Sequence, residues 1–313
     1  LAVTAVSDGL FEDLDEPVVR RLPEWSEADG ADPRRSRITV RNLLQLCSGL
    51  EPESDLLGPA GFGIHDLGPL SDLAGFLRKR REPPSDRFAA ALEIPMAREQ
   101  GTDFAYGPSA FYAFGAVLER ALAARDSGPR TAFEYLRERV LLPAGIDVTL
   151  ERFAPDVDGK PNLPGGGHLT AREWARFGEW VRLGGARVGA DGELVRSLPE
   201  GALATWFEPS ATNAHYGLTW WLLNGEPGAE PDVDTAFLRS ADGSARTERV
   251  DDVDGRPLAV VMAAGAGQQR LYLIPAHGLV VVRFAEMTRR GRRYGDAAFL
   301  RLLLGLPEPK LDH

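Results

Sequence analysis

The chain has 313 residues, 43% hydrophobic and 26% charged, an ordinary balance for a globular protein with ample material for a core. Its formal charge of −10 argues against nucleic acid or an anionic membrane as the main partner, and no apolar run approaches the roughly 18 residues of a membrane span. The single Cys47 excludes an internal disulfide.

Taken in order, LAVTAVSDGL (1–10) reads as the last turns of a helix closed by Gly9. A helix with no beginning implies residues upstream, so the lack of a leader is uninformative. FEDLDEPVVRRLPEW (11–25) is a Pro-punctuated connection, followed by polar loop to residue 37. Thr39 then caps a short helix with Leu43, Leu44 and Cys47 facing inward, stopped at Ser48-Gly49. No pattern supplies Cys47 with a His partner, so it reads as a small buried hydrophobe. Residues 51–70 form a Gly- and Pro-rich loop around His65 and Asp66, and 71–81 a helix. The basic clusters Arg78 to Arg81 and Arg289 to Arg293 read as solvated surface.

FAYGPSAFYAFGAVLER (104–120) organises the rest of the chain. Phe111, Phe114, Gly115, Leu118 and Leu122 recur at helical spacing and predict one buried face. Pro108 suits the first helical position, where its missing N–H costs nothing. Tyr106 thus stands just ahead of a helix N-terminus, where a phenol could exchange a proton with something in a cleft. A second helix is predicted over 131–146, ended by Gly145. In DGKPNLPGGGHLTAREWARFGEWVRLGG (158–185), Thr170 and Glu173 form a capping box, with Trp174, Phe177 and Val181 as the predicted buried face. Asp156-x-Asp158-Gly159 lacks the later ligands of a calcium loop and reads as a β-turn; the DVDG at 252–255 suits a hairpin tip. From about residue 216 the period changes. YGLTWWLL, LAVVMAAGA, QQRLYLIP and GLVVVRFA read as strands, with a turn at Pro275 to Gly278. Residues 294–305 close the chain as a helix with Phe299, Leu302, Leu303 and Leu306 toward the sheet.

Tyr106 to Glu119 resembles the second motif of serine β-lactamases, penicillin-binding proteins and related carboxylesterases: Tyr, small, Asn, then an apolar helix ending Leu-Gly-x-Ile-Ile-Glu. Tyr106, Gly115 and Glu119 hold their places, and Pro108 occupies that of the Asn. DGL with LDEPV and LPEW, ITVRNLLQLCSGL, the 131–146 helix and the 158–185 block resemble other segments of the family. Counting twelve back from Pro275 brings Ala263-Ala264-Gly265 onto the third motif, with Gly265 in place and Ala263 where a Lys or His stands. The loss of that cation makes penicillin-type substrates less expected.

The resemblance implies an α+β, β-lactamase/transpeptidase-like fold: an antiparallel sheet flanked by helices (206–313) beside a mainly helical lobe (20–205). The N-terminal strands that usually complete the sheet should be missing, leaving an edge or face uncovered. It implies hydrolysis of small esters or amides through an acyl-serine, with no cofactor or metal and no nucleic-acid partner. Tyr106 would be catalytic. Ser109 would serve in part for the missing Asn, and Gly265, Ala266 and Gly267 would line the substrate site, the Ala266 N–H as oxyanion donor.

The family's nucleophile is a Ser followed three places later by Lys. No Ser in 1–313 has that neighbour, and the lysines are Lys79, Lys160 and Lys310. Family spacing sets the motif one or two helix turns before Leu1. Two readings stay open: part of a working serine hydrolase, or a catalytically inactive binding or scaffold protein. The codons upstream of Leu1 separate them. Other chemistries lack their signatures, since there is no GxSxG, HExxH or phosphate-loop pattern.

Overall fold

The computed structural model describes residues 1–26, 31–57, 83–223, 250–265, 268–285 and 295–306, in two compact units, Leu1–Ala204 and Thr205–His313. The helix expected at 71–81, the His65–Asp66 loop, Ala266 and Gly267 lie outside the described residues.

In the first unit, α1 (Ala2–Ser7) ends at Gly9, whose φ of 71° is the left-handed conformation that closes a helix. α2 (Val40–Leu44) starts on a capping box between Thr39 and Asn42 and buries Leu43 and Leu44, with Cys47 buried just beyond. α3 (Arg87–Leu92) is capped by Asp86. α4 (Ser109–Ala123) is the long central helix. α5 (Ala132–Leu136), capped by Thr131 and Glu134, runs into a π-turn at Arg137–Leu141. α6 (Ala171–Arg182) carries the Thr170–Glu173 capping box. β1 (Ala186–Val188) and β2 (Leu194–Arg196) then form a small antiparallel hairpin that the sequence reading omits.

Two predicted faces are wider or rotated. α4 is not a one-sided helix: Tyr112, Ala113, Ala116 and Val117 are buried along with Phe114, Gly115, Leu118 and Leu122, and Phe111 is the half-buried member. Small residues let neighbours close in on every side; a Cβ on Gly115 would collide with the Phe88 ring of α3. On α6 the buried residues are Gly178, Trp180 and Val181, with Trp174 and Phe177 half-exposed. Trp180 turns inward because its indole N–H donates to Ser197 Oγ at 2.8 Å, which satisfies the one polar atom the ring would otherwise bury unpaired.

The second unit holds an antiparallel sheet in the order β3 (Trp221–Leu222), β4 (Val261–Gly265), β5 (Gln269–Ile274), β6 (Leu279–Arg283). The 252–255 turn closes with Gly255 N–H donating to Asp252 O at 3.1 Å, and Pro275–His277 with Gly278 joins β5 to β6. α7 (Asp296–Leu304) buries Asp296, Ala297 and Leu300 and meets β5 through Asp296 and Phe299. Here too the face differs from the expected one. Phe299 stacks on Tyr272 at 5.8 Å, but Leu302 is 85% exposed and Leu303 46%. Asp296 decides this rotation. Its carboxylate accepts from Arg270 Nε at 2.8 Å and from the Tyr272 hydroxyl at 2.5 Å, and all three residues are buried. A charged guanidinium inside the unit requires that partner, so the helix turns its first residue inward.

Asp296→Ala should therefore destabilise the second unit by about 3–5 kcal/mol, the usual cost of stranding one member of a buried ion pair. A urea melt followed by tryptophan fluorescence measures it, and a loss below about 1 kcal/mol would mean that the cluster does not fasten the helix. In the first unit, Asp8 receives Arg139 (2.7 and 2.6 Å) and the Tyr135 hydroxyl (2.8 Å). Burial alone would raise its pKa; the bonds from Arg139 and Tyr135 outweigh it and hold the carboxyl below its ordinary 3.8. The stability Asp8 contributes is thus present above about pH 4 and is lost as pH falls through its folded value. Asp8→Asn should cost about 2 kcal/mol at pH 7 and flatten the acid limb of the stability curve.

Candidate active site

Tyr106 is set on the 46–52 segment by backbone contacts that leave little freedom. Ala105 N–H donates to Leu46 O at 2.8 Å, and Leu46 itself sits at φ 57°, a conformation most side chains avoid. Gly107 comes so close to Pro52 that any Cβ would collide with its carbonyl, which is why glycine follows Tyr106. The same Pro52 carbonyl accepts from Ser109 twice, from its N–H at 3.3 Å and its hydroxyl at 2.8 Å. Phe104 is buried and the half-buried Tyr106 ring lies 6.4 Å from it.

Tyr106 and Ser109 are thus brought onto one scaffold. Ser109 is 1% exposed and its one proton is directed at Pro52, so the bond it makes anchors the first turn of α4. Ser48 is buried as well, with its oxygen 3.4 Å from the Leu50 N–H. Cys47 is buried beside the Asn42 amide, as a small apolar residue would be. Pro52 and Leu46 pack against the backbone around Tyr106, contacts that motif spacing does not reveal. A Pro-flanked Gly after Tyr106 is the available signal that something presses against it.

The far end of α4 is fixed by Glu119. One carboxylate oxygen accepts the Ala132 N–H at the start of α5 (3.1 Å), and the other pairs with Lys160 Nζ at 2.5 Å. Burial would lower the Lys160 ammonium, but Glu119, with Asp86 and Asp156 behind it, raises its pKa instead. Lys160 is the one lysine among the described residues, and it remains a cation, unable to take a proton from a nucleophile. The 156–159 turn below it forms as expected, with Gly159 N–H on Asp156 O at 3.1 Å. No His, Cys, Asp and Glu cluster suited to a metal occurs among the described residues.

Gly265, from the third stretch, ends β4 in the second unit, paired with Gln269. A Cβ there would lie 3.2 Å from the Gln269 Cβ, a tight fit that favours glycine. Ahead of β5, Gln268 holds a φ of 65°. Ala263 and Ala264 lie half-buried in the strand and provide no charge.

The model of the β-lactamase family matches residues 1–305. No curated protein matches the chain. Among solved structures, a protein assigned as a 6-aminohexanoate-dimer hydrolase from Bacillus anthracis superposes with a TM-score of 0.60 at 16% identity, covering 97% of this chain and 70% of that one. A β-lactamase/D-alanine carboxypeptidase from Pseudomonas syringae gives 0.56 at 16% identity, covering 98% and 81%. A D-stereospecific amidohydrolase from Streptomyces sp. gives 0.50 at 19% identity, covering 90% and 76%. At these identities the structures speak for the α+β fold, and the family match spans nearly the whole sequence. The chain belongs to the β-lactamase family, with the β-lactamase/transpeptidase-like fold of its serine hydrolases.

Proposed function

We propose that the intact protein hydrolyses small esters or amides through an acyl-serine, with Tyr106 in the proton relay. The observation that carries this is the fixing of the Tyr106 backbone against Pro52 at the head of a buried helix. A proton-transfer group needs its position closely held, and the contacts of Ala105, Gly107 and Ser109 on either side of Tyr106 support that. The serine and its lysine would come from a Ser-x-x-Lys segment preceding α1. Gly265, Ala266 and Gly267 would line the acyl group, the Ala266 N–H supplying one oxyanion donor and the serine's own N–H the other. Ser109 would contribute by holding Pro52, Tyr106 and α4 in register. Ala263 in place of a cation favours neutral acyl groups over penicillin-type carboxylates. The acyl hydrolases named for the structural relatives are consistent with this substrate class.

In the full-length protein, Tyr106→Phe should lower turnover of p-nitrophenyl acetate by about 10²-fold or more, with folding unchanged by circular dichroism. Unchanged turnover would take Tyr106 out of the mechanism. Absence of any turnover in wild type would favour the inactive, ligand-binding alternative. Residues 1–313 alone lack both the serine and its lysine, so they should be inert toward activated esters and a chromogenic cephalosporin and unlabelled by a fluorophosphonate. A label that survives denaturation and maps to Ser48, Ser109 or any residue of 1–313 would overturn the assignment of the nucleophile.

A further inference from the structure

In the first unit a cavity of about 520 Å³ opens between the end of α1 and the segment that follows it. Its walls combine Val6 and Phe11 with two carboxylates and two guanidiniums, those of Glu12, Glu16, Arg20 and Arg21. The volume lies within the range of pockets that hold small molecules. The four formal charges cancel, so the walls favour neither a simple anion nor a simple cation on net charge. Much of their hydrogen-bonding capacity is spent within the wall, and what is left over is specific.

Glu16 is 4% exposed, and both of its oxygens are used. Oε2 accepts the Glu12 N–H at 2.7 Å, and Oε1 accepts from Arg21 Nε at 3.1 Å. Glu16 therefore organises the wall and is not left for a ligand. Arg21 is fixed by that bond and by a second, from Nη2 to Leu10 O at 2.8 Å. Both bonds leave from the Nε and Nη2 side of the guanidinium, and Nη1 makes none to a described residue. An arginine held on one edge, with donors free on another, is set to receive a carboxylate. Glu12 is tied at its backbone to the same Glu16 side chain. Its own Oε2 accepts from Arg20 Nη1 at 2.7 Å, and its Oε1 makes no bond to a described residue. The wall thus carries one fixed donor edge and one unspent acceptor, both organised by a single buried carboxylate.

We propose that this cavity binds a small zwitterion, an α-amino acid. The ligand carboxylate lies on the Nη1 side of Arg21 and its ammonium on Glu12 Oε1, with the ligand side chain toward Val6 and Phe11. Walls of zero net charge suit a ligand whose own charges cancel. A lone carboxylate would meet Glu12 as well as Arg21, and a lone ammonium would meet Arg20 and Arg21 as well as Glu12. The site uses neither Tyr106 nor Gly265 and does not rest on the acyl-hydrolase reading.

The test titrates the full-length protein with L-alanine and follows the backbone amide NMR signals of Gly9, Glu12 and Arg21. Acetate and ethylammonium serve as the two half-ligands. L-alanine should shift these signals with a Kd of about 1–10 mM, the affinity open to so small a ligand. Each half-ligand should bind about tenfold or more weakly, since it keeps one charged contact and meets a like charge. Arg21→Met should abolish the response to L-alanine. Glu12→Gln should weaken L-alanine about tenfold and leave acetate no weaker. Arg21→Met alone strands the buried Glu16 and can fail to fold. Arg21→Met combined with Glu16→Gln removes both charges, keeps an acceptor for the Glu12 N–H, and should lose binding with the circular dichroism spectrum unchanged. Signals that stay still at about 100 mM L-alanine would overturn the proposal. So would L-alanine binding that survives the Arg21 variants, or acetate that binds as tightly as L-alanine.

Discussion

The first unit depends on a helix with almost no solvent face. Tyr112, Ala113, Val117, Leu118 and Leu122 of α4 are fully enclosed, and burial on that scale supplies a large share of the unit's hydrophobic stabilisation. Enclosure also sets a demand. Every polar atom on such a helix must find a partner inside the protein or be left out of the fold. Tyr112 gives its hydroxyl to Asn162 at 2.8 Å, and burial pushes its pKa up to about 12, so it stays a donor. Ser109 goes to Pro52 and Glu119 to Lys160 and Ala132. These partners lie on two connecting segments, around Pro52 and around 160–162, and on the first residue of α5. The need to satisfy one buried helix thereby fixes the loops around it, including the one that carries Tyr106.

The second unit meets the same demand differently. Its sheet is short, and α7 is fastened to it by a buried Arg–Asp–Tyr cluster as well as by apolar packing. A charge cluster specifies orientation more sharply than leucines do, since a guanidinium accepts few alternatives while leucines pack in many ways. Leu302 and Leu303 end up outside because Asp296 sets the helix's rotation.

Much of this was legible in the sequence, for local reasons. Thr39 and Thr170 cap their helices with a partner three residues on, an interaction contained within four positions. Gly9, Gly145 and Gly255 mark stops and turns through their own backbone preference. The family resemblance rested on such segments together with Tyr106, and it carried the fold. What was not legible depended on distant pairing. The rotation of α6 follows from Ser197, that of α7 from Arg270, and no periodicity within either helix contains those partners. The β1–β2 hairpin was missed because its exposed strands lack the alternation that marks a half-buried one. At the candidate site, motif spacing singles out Tyr106 and Gly265 as candidates. The close approach of Pro52 to Gly107 and the left-handed backbone of Leu46 and Gln268 are conformational features that no spacing contains.

The bonds of Asp8 carry a consequence for the order of assembly. Glu119 reaches Ala132 across 13 residues and Lys160 across 41, whereas Asp8 reaches Tyr135 and Arg139 across 127 and 131. Chain closure over the longer spans costs more entropy before any contact repays it. α4, α5 and the 156–160 turn can therefore condense as a local nucleus, with α1 docking late onto a surface already built. The last element to arrive should also be the first to detach, and native-state hydrogen exchange would register this as α1 amides opening ahead of those of α4.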